Sequence, residues 1–156
     1  MKQKLLCWFP VVLLPTVNII IAITYQAACE LENALPFVIG AIAEELVFRW
    51  FLLKKLLFPR LKPTVAVILV AIGFACMHLF NLRSGTDISL IVLQILLAFC
   101  FSIWAGFVTY RSSFLIPLLA HVLLNLTATI DIGWVTIAVS TMVLFDGILL
   151  MKSVKE

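Results

Sequence analysis

Ala43-Glu44-Glu45-Leu46-Val47-Phe48-Arg49 sets two adjacent carboxylates and an arginine inside a run, residues 35–53, that otherwise reads as a membrane-spanning helix. Each ionised side chain at the middle of a spanning helix costs about 2.5–3.5 kcal/mol on insertion scales. Three of them cost roughly 8–10 kcal/mol, which the surrounding Leu, Ile, Val and Phe must outweigh. A structural ion pair joining helices is the plain reading. The sharper one is a buried polar site with partners elsewhere in the chain.

Composition fixes the solvent. Of the 156 residues, 64% are hydrophobic and only 12% charged, with a mean hydropathy of +1.21. Soluble domains run near 45–50% apolar and about 25% charged, so an integral membrane protein is expected. Its length allows about six spans and no separate soluble domain. The net charge of +3 is no nucleic-acid signal, because the basic residues cluster in short groups at helix ends. Cys7, Cys29, Cys76 and Cys100 stand singly in apolar sequence, without the C-x-x-C or Cys/His spacing of a thiolate metal site.

Six spans are predicted, making an all-α, polytopic transmembrane bundle. The first covers residues 5–28, too long for a signal-peptide core and therefore read as an uncleaved helix. Pro10 and Pro15 should kink it, with neighbouring helices satisfying the carbonyls they free. A short acidic loop, 30–33, precedes the second span at 35–53, which ends at Lys54-Lys55. The others are 64–80, 88–110, 114–130 and 134–151, with loop 81–87 turning at Ser84-Gly85.

The loop charges orient this layout. With the N-terminus cytoplasmic, the inner segments hold Lys2, Lys4, Lys54, Lys55, Arg60, Lys62, Arg111, Lys152 and Lys155, and the outer loops hold Arg83 alone. Nine basic residues against one satisfies the positive-inside rule and puts both termini in the cytoplasm. The expected location is the cell membrane, as a multi-pass protein.

Polar residues within the spans mark the site. Glu45 and Arg49, four apart, share a helical face and can pair; Glu44, rotated about 100° from Glu45, is free to face a cavity. This divides the labour, with Glu45 held and Glu44 left to titrate as a general base. Both histidines of the chain, His78 and His121, fall inside apolar spans. Asn125, four residues after His121, shares its face, and together they present the donors an oxyanion hole needs. Phe74, four before His78, either walls the site or simply packs. At 1.5 Å per residue, His78 lies about 20 Å and His121 about 10 Å from the inner ends of their spans, so convergence requires tilted or offset helices.

Glu44-Glu45-x-x-x-Arg49, Phe74-x-x-x-His78 and His121-x-x-x-Asn125, in this order on successive helices, resemble the CPBP family of intramembrane proteases. That family includes CAAX prenyl endopeptidases and the Abi-like members linked to bacteriocin processing or self-immunity. The resemblance covers residues 35–126, within a single domain of residues 1–156, and extends to Tyr110-Arg111-Ser112. Trp50 stands where family members commonly have Gly.

The resemblance implies hydrolysis of a peptide or prenylated-protein substrate within the lipid bilayer. Glu44 and His78 would activate a water, His121 and Asn125 would stabilise the oxyanion, and Glu45 with Arg49 would orient and charge-balance them. The family is usually called metallopeptidase, and Glu44, His78 and His121 could supply three ligands to zinc or another divalent metal with a fourth position open. No H-E-x-x-H helix is present, and Asn125 suits an oxyanion better than zinc, so the reading leans to a metal-free water. Two rivals remain: a non-enzymatic bacteriocin-immunity or interaction protein, and a transporter. The six spans show none of the internal symmetry that transporters often carry.

Overall fold

The computed structural model describes residues 2–24, 31–127 and 133–152, and every regular element among them is helical. These are α1 (Lys2–Thr24), α2 (Leu31–Glu45) running on as a π-helical segment (Leu46–Leu57), α3 (Pro63–Met77) with a 3-10 extension (His78–Ser84), α4 (Ile88–Arg111), α5 (Leu115–Thr127) and α6 (Gly133–Lys152). Four of the helical stretches, Leu5–Thr24, Pro63–Ser84, Ile88–Arg111 and Val135–Lys152, are long and apolar enough to cross a membrane. This is a membrane protein.

The segment after the glutamates departs from the expected α-helix. Residues 46–57 bond i→i+5, a register the chain leaves at Phe58, whose N–H still donates to the Leu53 carbonyl at 2.9 Å. Such turns usually occur singly and often at functional sites. Its effect here is visible in the burial pattern. Ala41, Glu45, Arg49 and Leu53, every fourth residue, form one buried stripe. Steps of four on an α-helix drift by about 40° each, and the wider turn checks that drift, so both members of the ion pair stay inside.

Boundaries shift elsewhere for local reasons. The expected acidic loop at 30–33 is helical from Leu31 onward, and the second span's helix runs past the two lysines to Leu57. Pro63, at the first position of α3 where its missing N–H costs nothing, starts that helix. Most of the loop predicted at 81–87 is the 3-10 extension, closed by Gly85 at φ 76°, a conformation that suits glycine. Asp87 caps α4, its Oδ1 accepting from the Ser89 N–H at 2.7 Å and also from the Ser89 hydroxyl. The far ends of the first and fifth expected spans, Cys29, Glu30, Asp131 and the tail 153–156 lie outside the described residues.

Helix α4 is the axis of the bundle. Phe101 through Thr109 are buried without interruption, and α4 packs most extensively on α6 and α3. Two glycine contacts set these spacings. A Cβ on Gly106 would lie 2.7 Å from Val67 Cγ1, and one on Gly147 would lie 3.1 Å from the Trp104 backbone nitrogen. Gly40, by contrast, has nothing within 4 Å of such a Cβ and Ala43 is exposed, so in the Gly40–Ala43 stretch of α2 the buried small residue is Ala41. Trp104 also explains how α1 tolerates Pro10. A proline cannot donate to the carbonyl four residues earlier, here Leu6, and the Trp104 indole N–H donates to it instead at 3.2 Å.

Candidate active site

Four polar side chains meet where α2 and its π-helical continuation face α5. Arg49 Nε lies 3.2 Å from Glu45 Oε2, and both side chains have no solvent exposure. The contact is not aligned as a hydrogen bond, so it acts through charge. The guanidinium is seated instead on aromatic faces, 4.2 Å from the Phe74 centroid and 5.8 Å from that of Phe101. Desolvated cation–π contacts are worth about 2 kcal/mol or more, which helps Arg49 stay charged away from water.

Glu45 works in two directions. Its other oxygen, Oε1, lies 3.1 Å from His121 Nδ1. A carboxylate only accepts, so Nδ1 carries the proton and donates, and the ring is fixed with Nε2 outward. Nε2 faces Glu44, whose Oε2 is 3.9 Å away. The two adjacent glutamates thus differ sharply: the Glu45 side chain is fully buried, while that of Glu44 keeps 42% of its surface open. The 100° rotation between neighbours on a helix has this outcome.

His78 joins this group through an aromatic ring rather than by direct contact. The Phe74 ring sits edge-on to His78 at 5.7 Å and to His121 at 5.9 Å between centroids. It also meets Phe48 at 5.2 Å. Phe74 is the hub of the site, since both histidines approach its ring. The His78 Nδ1 lies 3.3 Å from the Phe74 carbonyl. A carbonyl can only accept, so here too Nδ1 donates and Nε2 is left free.

Asn125 also links two helices of the site. Its Nδ2 donates to the Phe37 carbonyl at 2.9 Å, tying α5 to α2, which leaves one amide hydrogen uncommitted. Trp50 is exposed on the outer surface, 5.7 Å from the Lys55 ammonium, and takes no part in the site. Tyr110 packs edge-on against Phe58 at 5.1 Å, joining the end of α4 to the end of the π-helical segment. Sequence reasoning missed Phe101, whose ring meets His121 at a tilt, 5.3 Å between centroids. It is one phenylalanine among twelve, with no spacing to mark it.

A three-ligand metal site needs its donors gathered around one point. Among the described residues no three His, Cys, Asp or Glu side chains gather closely enough to hold an ion. Donation of Nδ1–H to Glu45 and to a backbone carbonyl leaves Nε2 of His121 and of His78 free, the state in which histidines ligate metals, but Glu44 lies at ion-pair rather than chelating distance from His121. In this arrangement Glu44, His78 and His121 do not form a three-ligand site.

The same stretch carries the family signal. Residues 29–127, more than half of the chain, match the model for the type II CAAX prenyl endopeptidase Rce1-like family. The chain belongs to that family. All six candidate residues fall within the matched Rce1-like region. No curated protein and no solved structure matches the chain.

Proposed function

We propose that this Rce1-like protein is an intramembrane endopeptidase in which a glutamate-activated water cleaves a peptide bond of a membrane-associated or prenylated peptide. The observation that carries this reading is the asymmetry of the glutamates. A general base must reach water, and Glu44 is the open carboxylate; Glu45 is locked between Arg49 and His121. Peptidase membership of the family supports the reaction class.

The chemistry then uses groups already oriented. Glu44 takes a proton from water as the water oxygen bonds to the scissile carbonyl carbon. The carbonyl electrons move onto oxygen, and His121 Nε2–H and the uncommitted Asn125 amide hydrogen donate to that oxyanion. As the intermediate collapses, the C–N bond breaks and Glu44 returns its proton to the leaving amine. His78, with Nδ1–H donated to the Phe74 carbonyl, offers the Nε2 lone pair to the attacking water. Two carboxylates and one guanidinium leave one negative charge, which an imidazolium at His121 would cancel. No step here needs a metal.

The same proposal includes six spans with both termini cytoplasmic, supported by the distribution of basic residues. The test is digestion of a mixed peptide and prenyl-peptide library by protein reconstituted in liposomes, in ¹⁸O water, with and without a strong chelator. The account expects an internal cut, ¹⁸O in the new carboxylate and no chelator effect. Loss of cleavage on chelation, reversed by zinc, would replace the metal-free step. No cleavage by the folded protein would overturn the enzyme reading in favour of a binding or immunity role.

A further inference from the structure

Outside the six residues discussed above, one pair of side-chain amides ties the segment that carries His78 to α4. Asn81 Nδ2 donates to Gln94 Oε1 at 2.8 Å, a side-chain bond from the 3-10 extension to α4. Both residues are half-buried, and Gln94 is the only side-chain amide in α4.

The 3-10 geometry gives the pair its meaning. In such a helix residues i and i+3 eclipse, with a rise of about 2.0 Å per residue. Asn81 therefore stands on the same side as His78, about 6 Å further along. In an α-helix the same two residues would be rotated apart by about 60°. The change of register happens at His78 itself, whose backbone N–H bonds both the Ala75 and Cys76 carbonyls. The far end is pinned too, since the Ser84 hydroxyl donates to the Asn81 carbonyl at 2.8 Å. On the other side of the bond, Gln94 precedes Phe101 by two helical turns and shares its face of α4. Phe101 is the ring that packs at a tilt against His121.

We propose that Asn81 and Gln94 are a positioning pair: their bond holds residues 78–84 in the 3-10 register and thereby aims His78 Nε2 into the site. Neither residue touches the reacting atoms in this account. The link to catalysis rests on the endopeptidase reading; the link to ring orientation does not.

The chain's two histidines make the test direct. Protein labelled with ¹⁵N,¹³C-histidine in lipid nanodiscs gives two sets of ring signals, assigned with His78→Gln. In the wild type the His78 ring should be the Nδ1–H tautomer. In Asn81→Leu, and in Gln94→Met as a second variant of similar volume, His78 should become a mixture of tautomers while His121 is unmoved. On a cleavable peptide, kcat should fall by at least about tenfold with KM little changed, as expected for a misplaced group. The exchanged pair Asn81→Gln/Gln94→Asn should restore the tautomer and most of kcat. An unchanged His78 tautomer in both single variants would overturn the proposal whatever the activity. A shifted tautomer with unchanged kcat would overturn its catalytic half. A wild type without turnover would refute the proposed activity, and the tautomer measurement would still decide the pair.

Discussion

Replacing Arg49 with methionine removes the cation while keeping most of its stem, and the structure sets the scale of the damage. Arg49 and Glu45 are both fully buried. Removing one partner of such a pair strands the other charge and typically costs about 3–5 kcal/mol. The cation–π contact over Phe74, at 4.2 Å, is lost as well, adding about 2 kcal/mol or more in a desolvated setting. Methionine packing against Phe74 offsets part of that second loss, so Arg49→Met should destabilise by at least about 3–5 kcal/mol. The double variant Glu45→Gln/Arg49→Met separates charge from shape. It strands no carboxylate, and the glutamine oxygen can still accept from His121 Nδ1, so it should recover most of the loss. Unfolding by SDS in mixed micelles, followed by tryptophan fluorescence, measures both. A single variant within about 1 kcal/mol of wild type would refute the argument. So would a double variant as unstable as the single.

Other variants probe separate links. His121→Ala should slow the chemical step by about 2.7–4 kcal/mol, the usual scale of one lost oxyanion donor; normal single-turnover rates would remove that role. Gly106→Ala and Gly147→Ala should each cost about 1–3 kcal/mol by overpacking, because Val67 is a stiff β-branched neighbour and the Trp104 backbone cannot yield. Gly40→Ala, with open space around it, should be neutral or slightly stabilising in the same SDS titration. Asp87 lies outside the spans, and hydrogen bonds from Ser89 hold its carboxyl below the usual range. Its folded pKa is depressed, so its contribution is full above the ordinary carboxylate value and lost as pH falls through the folded one. Asp87→Asn should therefore flatten the acid limb of a stability–pH curve, and an unchanged limb would contradict the cap.

Much of this was legible because the bilayer simplifies the reading. Apolar runs of spanning length located the helices, and the four-residue spacing placed Glu45 beside Arg49, where the structure has them. The rule that a proline frees a carbonyl anticipated a partner from a neighbouring helix, and Trp104 supplies it to Leu6. What escaped was set by tertiary packing. Leu46–Leu57 carries no residue signal for i→i+5 bonding; that register keeps Arg49 and Leu53 on the stripe of Glu45. Asn125 shares a face with His121, yet only the approach of α2 decides that one of its hydrogens goes to the Phe37 carbonyl. Phe101 and Gln94 come from α4, distant in sequence from the motifs they serve, and Asn81, three residues after His78, shares its side only because that segment is 3-10 rather than α-helical.

The central claim is that Glu44 is the base that activates water. Glu44→Gln is nearly isosteric and leaves the buried trio of Glu45, Arg49 and His121 intact. Wild type and variant, reconstituted side by side in liposomes with one cleavable peptide, give the most direct comparison. Turnover should fall by about 10²–10⁴-fold, the usual contribution of a general base, with the unfolding midpoint unchanged. Turnover by Glu44→Gln within about twofold of wild type, a far smaller loss than a general base supplies, would contradict it.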